Sequence, residues 1–315
     1  MRKIIIPLVF FLLFNCNTIP DEFYKEPNYI TNAKGKTKAY YNSYDKSLAL
    51  WEVDYEEVYI PTTYGIAHVI ISGSSFNEPL VLLHGMEASS TMWYPNAKAL
   101  SKNYQLFAID LLFEPGKSKK QKELDNIDLL FQWYEEVLQQ LNLKKFHLAG
   151  ASRGGWIATN LAIRNPSTIK SLTLLSPAQT FIWIPPSQDI LTNIINAFSS
   201  DRAKMRRALK TMTVNIDNIN EVYLNQYFLG KALEIDNQFV SAMQPFSKEE
   251  LNKLSMPVLI LVGDQDIINN EKSISYALEN IPNAEGEIIS PSGHFVSIDK
   301  KEVVNNKMKA FLNKN

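Results

Sequence analysis

Two kinds of apolar run alternate along most of this chain. Short continuous blocks stand at residues 79–83, 106–109, 146–149, 172–175, 258–262 and 287–289. A strand that is apolar without alternation has both faces buried, as in a parallel sheet covered by helices. Between these blocks the apolar residues recur at helical spacing. Ile127, Leu130, Phe131, Tyr134, Val137, Leu138 and Leu141 form one stripe, opened by Asp125 or Asn126 as the N-cap. A helical stretch over 156–164 stops at Asn165-Pro166, and Val303, Val304, Met308 and Phe311 mark a last helix. Residues 57–60 and 63–71 predict a hairpin turning at Pro61-Thr62 or at Tyr64-Gly65. Strands alternating with helices predict a doubly wound α/β fold, mostly parallel, with helices on both faces of the sheet.

The alternation breaks between Pro177 and Met256, where no strand pattern is found. Ile190, Leu191, Ile194, Ile195 and Phe198 form a helical stripe there, Met205, Ala208, Leu209 and Met212 a second, and Tyr223, Tyr227 and Phe228 a third. Ser247 and Glu250 have the spacing of a capping box ahead of Pro257. The pattern predicts an all-helical cap at about 178–250, lying over a site. Phe181, Trp183 and Tyr227 are its candidate wall residues, each equally readable as packing between cap helices.

The position of that site comes from Gly150-Ala151-Ser152-Arg153-Gly154, set between the block at 146–149 and the following helix. A serine hydroxyl is a poor nucleophile until it is held out of the sheet beside a base and backbone donors. A sharp strand-to-helix turn does this, and glycines two residues to either side remove the side chains that would clash. The bland alternative is a glycine-bearing turn with a bystander serine. A base decides between them, and the chain has four histidines. His68 falls inside a strand pattern and reads as structural. His147 lies on the strand before the turn, and His84 belongs to a His-Gly that suits an oxyanion loop. His294, in Pro291-Ser292-Gly293-His294-Phe295 between the last strand block and the last helix, remains as the base. The orienting carboxylate is expected after the block at 258–262, where Asp264 and Asp266 are both available. The two oxyanion donors are expected from the N–H of Arg153, next after the serine, and from His84-Gly85-Met86. The Arg153 side chain reads as an ion-pair partner or as a polar wall.

Composition narrows the classes. A chain of 315 residues holds one large α/β domain with an insertion, and 14 Tyr, 16 Phe and 5 Trp supply a substantial core. A formal net charge of −1 argues against a nucleic-acid binder, and the basic cluster Arg202, Lys204, Arg206, Arg207 and Lys210 reads as a solvated helix face. The order Ser, Asp, His and the motifs around it resemble α/β-hydrolases, in which G-x-x-D marks the acid. That resemblance selects Asp266 over Asp264, whose other role is to solvate or cap the loop, and it assigns the second oxyanion donor to Met86. Ser90-Thr91-Met92-Trp93-Tyr94-Pro95-Asn96, Glu114-Pro115-Gly116-Lys117-Ser118 and Leu175-Ser176-Pro177-Ala178 extend it to the bacterial carboxylesterase NP group. Members of that group often carry Glu where this chain has Asp266. The resemblance implies an α/β-hydrolase domain over 41–315 that cleaves small-molecule carboxylic esters without a cofactor. A thioesterase, an acyltransferase or a carbon–carbon bond hydrolase would share every triad residue, and a surface-anchored binding protein would keep the scaffold. A dehalogenase or epoxide hydrolase would need an aspartate where Ser152 stands.

The amino terminus follows another pattern. Arg2 and Lys3 precede an apolar run over 4–14, and Leu13-Phe14-Asn15-Cys16 resembles a bacterial lipobox, with Asn15 where a small residue is usual. Cys16 is the single cysteine of the chain. The expectation is a signal peptide over 1–16, lipidation at Cys16, a flexible tether over 17–40, and an exported enzyme anchored to the membrane.

Overall fold

The structure, a computed structural model, describes residues 19–315 apart from 198, 200 and 234–237. The signal segment with Cys16, and Phe198, lie outside the described residues. One sheet is built from β1 (Tyr55–Pro61), β2 (Gly65–Ser72), β3 (Glu78–Leu83), β4 (Tyr104–Ile109), β5 (Lys119–Lys120), β6 (Phe146–Ala151), β7 (Ile169–Leu175), β8 (Val258–Gly263) and β9 (Ala284–Ile289). Its order is β1-β2-β4-β3-β6-β7-β8-β9, with β5 paired to β2. β1 and β2 are antiparallel, as are β2 and β4, and every pair from β4 to β9 is parallel. The hairpin turns over 62–64, where the Thr62 N–H donates to the Gly65 carbonyl at 2.8 Å.

Successive side chains on a strand point to opposite faces, and here both faces are covered. Val81 and Leu83 enter the core shared with the helices Ile127–Gln140 and Arg153–Arg164. Leu80 and Leu82, one residue out of step, enter the core shared with Gly35–Leu48 and Lys301–Asn313. The parallel register sets strand ends level, since Leu83 faces both Ile109 and Gly150, Ala151 faces Leu175, and Gly263 faces Ile289. The loops leaving those ends therefore converge on one edge, where sites of open α/β sheets are built.

The flexible tether expected over 17–40 is corrected over its described residues, from 19 onward. Residues Asp21–Tyr24 form a 3₁₀ turn, Asn28–Thr31 a short helix, and Gly35–Leu48 a long one. Tyr40, Tyr44 and Leu48 recur every fourth residue, so they form a buried stripe, and the Tyr44 hydroxyl donates to Asp110 at 3.2 Å. Within the expected tether, Lys36 and Lys38 stand exposed on that helix, away from its buried stripe.

The segment expected as a cap is helical, with Gln188–Ala197, Arg202–Lys210, Glu221–Lys231 and, opened by the Ser247 capping box, Lys248–Leu251. Its own core is Met205, Leu209, Ile216, Ile219, Tyr223, Leu224 and Phe228. It is fastened to the body by polar contacts. Gln226 donates to Ser89 Oγ at 2.8 Å and accepts from Thr91 Oγ1 at 2.8 Å. The basic cluster lies along an exposed helix, with Arg206 paired to Glu221 at 2.9 Å.

Candidate active site

Ser152 stands one residue past β6 with φ 52° and ψ −119°, and the helix Arg153–Arg164 begins immediately after it. A non-glycine residue at positive φ is strained, and this strain turns the hydroxyl out of the sheet. The flanking glycines are required by contact as well. A Cβ on Gly150 would meet the Gly154 carbonyl oxygen at 2.2 Å, and one on Gly154 would meet that of Leu83 at 2.3 Å.

Three sequence-predicted residues meet here. Ser152 Oγ is 2.9 Å from His294 Nε2, and His294 Nδ1 is 2.9 Å from Asp266 Oδ1. Asp266 also accepts from the Ile268 N–H at 2.8 Å and from Asn269 Nδ2 at 3.0 Å. Burial pushes its carboxyl up, but the facing His294 and these hydrogen bonds outweigh that and hold it below the ordinary value. An ionised Asp266 fixes the proton of His294 on Nδ1 and leaves Nε2 to accept from Ser152. Asp264 is used otherwise: it accepts from Ser290 Oγ at 2.6 Å and from the Ser292 N–H at 2.8 Å, shaping the loop that carries His294.

The oxyanion side is set by the loop after β3. His84 Nε2 accepts the Leu111 N–H at 2.9 Å, which places the proton on Nδ1, 2.8 Å from the Gly85 carbonyl that accepts it. Burial holds the His84 pKa down to about 4, so the ring is neutral and this tautomer is fixed. Asp110 ties that loop to the one after β4, accepting the Ser90 N–H at 2.8 Å and the Lys117 N–H at 2.7 Å. The Met86 and Arg153 N–H groups have no hydrogen-bond partner among the described residues. Arg153 opens its helix, where the first N–H groups have no intrahelical acceptor. Its side chain is an ion-pair partner of Glu114 and also donates to the Gln238 carbonyl at 2.8 Å.

Ser152 and His294 open onto a cavity of about 270 Å³, walled mainly by Met86, Leu209, Met212, Leu224, Met243 and Ile298, with Tyr223 and Tyr227 among its aromatic residues. The cap therefore forms much of the wall. Of the three wall candidates only Tyr227 lines the cavity. Phe181 is buried in the main core, and Trp183 is 62% exposed. Three carboxylates were not singled out by sequence reasoning: Glu87, which accepts from Tyr227 OH at 3.0 Å and pairs with Lys231; Glu114; and Asp299, which accepts the Gly293 N–H at 2.8 Å beside His294. Each lies in a motif with no chemistry of its own, so only the fold reveals its partners.

A strained serine, an imidazole held by a carboxylate, and two N–H groups without acceptors among the described residues, beside an apolar cavity, are the parts of a nucleophilic hydrolase. The chain belongs to the α/β hydrolase fold family, whose model matches residues 78–301. Naproxen esterase (carboxylesterase NP) from Bacillus subtilis superposes on it with a TM-score of 0.82 at 31% identity, over 89% of this chain and 99% of that one. In sequence the chain is 31% identical to an uncharacterized carboxylesterase, nap, of Bacillus subtilis (strain 168), over 87% of this chain and 92% of that protein. It is 28% identical to carboxylesterase YbfK of the same organism, over 87% of this chain and 93% of that protein.

Proposed function

We propose that this protein is a carboxylesterase in which Ser152, His294 and Asp266 act as a catalytic triad. His294 Nε2 takes the Ser152 proton as Oγ attacks the ester carbonyl. The oxyanion that forms lies against the N–H groups of Met86 and Arg153, and Asp266 stabilises the imidazolium. Collapse expels the alcohol, protonated by His294, and leaves an acyl-serine. Water, deprotonated by the same ring, then releases the acid and returns the proton to Ser152. The observation that carries this reading is the unbroken hydrogen-bond chain from Ser152 Oγ through His294 to Asp266, opening on the cavity. The carboxylesterase relatives support the same bond type. The apolar wall suits an uncharged substrate with an apolar acyl or alcohol part. Purified protein assayed on p-nitrophenyl esters of graded acyl length should turn them over, and Ser152→Ala should not. Absence of ester turnover in the wild type would overturn the reading.

Export and anchoring form a separate part of this proposal, supported by the basic Arg2 and Lys3, the apolar run over 4–14, Leu13 three residues ahead of Cys16, and the lack of a second cysteine. Cys16 is lipidated and the chain cut before it, which tethers the enzyme outside the cytoplasm. One acyl chain holds a protein only marginally, with K on the order of 10⁴ M⁻¹, so the anchor carries more than one. Mass spectrometry of the amino-terminal peptide tests this. An unmodified Cys16 still joined to Asn15 in membrane-bound protein would refute it.

A further inference from the structure

One buried carboxylate touches both sides of the oxyanion hole. Glu114 is 4% exposed. Its Oε1 accepts from the Arg153 guanidinium, and its Oε2 accepts the Glu87 backbone N–H at 2.6 Å. Arg153 supplies one oxyanion donor, and Glu87 directly follows Met86, which supplies the other. Glu87 also sits at φ 59°, a strained conformation for a non-glycine residue that the surroundings must impose. No other side chain among the described residues is bonded to both segments.

We propose that Glu114 is a positioning residue that sets the spacing of the two oxyanion donors by tying the Met86–Glu87 peptide to Arg153. This rests on the hydrolase reading above and adds to it a residue that never touches substrate. Donors act on an oxyanion only when held at hydrogen-bond distance before charge develops, and they act more strongly on the transition state than on bound substrate. A loosened tie should therefore lower kcat and leave KM nearly unchanged.

The charge state of Glu114 gives a second signature. Burial pushes its carboxyl up to about 7, against the lowering effect of Arg153 and the Glu87 N–H. The groups facing it are Arg153 from the helix after Ser152, Glu87 with its partners Tyr227 and Lys231 from the cap, and Tyr134 from the helix Ile127–Gln140. Protonated Glu114 has one free acceptor oxygen and one donor, as the amide of glutamine does, and neither serves both partners as two acceptors. Wild type and Glu114→Gln should therefore differ most above about pH 7 and converge below it.

The test is steady-state ester hydrolysis by wild type and Glu114→Gln across that range, with active sites counted by fluorophosphonate titration. Kcat per titrated site should fall about 10- to 100-fold at alkaline pH, KM should stay within about twofold, and the wild-type-to-variant ratio should shrink as pH falls. A kcat per site equal to wild type, a rise in KM alone, or a ratio that does not change with pH would each overturn the inference. Should Glu114→Gln fail to fold, the double change E114M/R153M removes the buried charges together. It keeps the Arg153 backbone donor, must show the same fall in kcat, and overturns the inference if it does not. A wild type that neither binds the label nor hydrolyses esters would instead sink the hydrolase reading itself.

Discussion

β6 serves two Ser–His–carboxylate arrangements, one at each end of the sheet. Beyond its carboxyl end, Ser152, His294 and Asp266 are joined at 2.9 Å and 2.9 Å. Near its amino end, His147 Nδ1 is 2.7 Å from Ser171 Oγ on β7, and His147 Nε2 is 3.0 Å from Glu78 on β3. Both are a serine, a histidine and a carboxylate in a row, but the two ring nitrogens exchange partners and the surroundings differ. Ser171 and His147 are both wholly buried, and Ser171 faces His147 within the β6–β7 ladder, where backbone N–H groups are committed to the sheet. Ser152 is strained, half-buried on a cavity, and adjacent to N–H groups with no acceptor. Linkage alone therefore does not make a nucleophile. Access, a turn that exposes the oxygen, and uncommitted donors separate the two regions, and each comes from the carboxyl-end position in a parallel sheet.

Breaking one arrangement at a time gives the largest expected effect. Ser152→Ala and His294→Ala should each lower kcat by about 10³-fold or more, since the two act as a unit. Ser171→Ala should leave kcat within about twofold and show its effect in stability. Near-native turnover in either triad variant, or a collapse of kcat in a folded Ser171→Ala, would erase the distinction. The two neighbouring aspartates sharpen it further. Asp266→Asn should cost about 10³- to 10⁴-fold in kcat because an amide supports neither the useful tautomer nor the imidazolium. Asp264→Asn acts only through the loop at 290–292 and should cost about tenfold or less. The reverse ranking in steady-state assays would reassign the acid.

Smaller effects probe the cavity that only the upper arrangement owns. Leu209→Ala and Met243→Ala enlarge its wall and should shift the kcat/KM ratio between long and short acyl esters by about 10-fold, with acetate-ester kcat nearly unchanged. An unaltered chain-length profile would mean that substrate does not use the cap. The smallest effect belongs to the His147 arrangement and reads out in stability. Burial, assisted by Lys170 and opposed by Glu78, holds the His147 pKa below its ordinary value. The unfolded chain then binds more protons than the folded one as pH falls below about 6.5, so stability present above that pH is lost towards the folded pKa. His84 acts with the same sign. His147→Gln should flatten part of the fall in urea midpoint between about pH 7 and 5.5, and an unchanged slope would show that His147 does not couple to folding.

How much of this was legible follows from which signals are local. The strand blocks at 79–83, 146–149 and 258–262 each fall within an observed strand, because a strand buried on both faces shows its burial in composition. β9 was seen only over its last residues, since Ala284–Ile289 alternates exposed and half-buried positions before ending in a buried one. Asn126 is the N-cap, accepting the Leu129 N–H at 3.2 Å, and the capping box at Ser247 forms, because both depend on neighbours in sequence. The helix Gly35–Leu48 carries no apolar stripe in sequence because its buried residues are Tyr40, Tyr44, two serines and a single Leu48, and a tyrosine reads as apolar only once a partner such as Asp110 takes its hydroxyl. Elbow, histidine and strand order point to Ser152, His294 and an aspartate after the block at 258–262, and the resemblance to α/β-hydrolases selects Asp266, which the structure places on His294. The Arg153 ion pair was anticipated in kind but not its partner, because Glu114 lies 39 residues away in sequence and meets it only through the fold.

The claim on which the account depends most is that Ser152 alone, among serines linked to a histidine in this sheet, is a working nucleophile. Reaction of the purified protein with a fluorophosphonate, followed by mass mapping of its peptides, measures this directly. One adduct per chain is expected, on Ser152, formed as esterase activity is lost and absent in His294→Ala. An unlabelled Ser152 in folded protein, or an adduct on Ser171 accompanying the loss of activity, would contradict it.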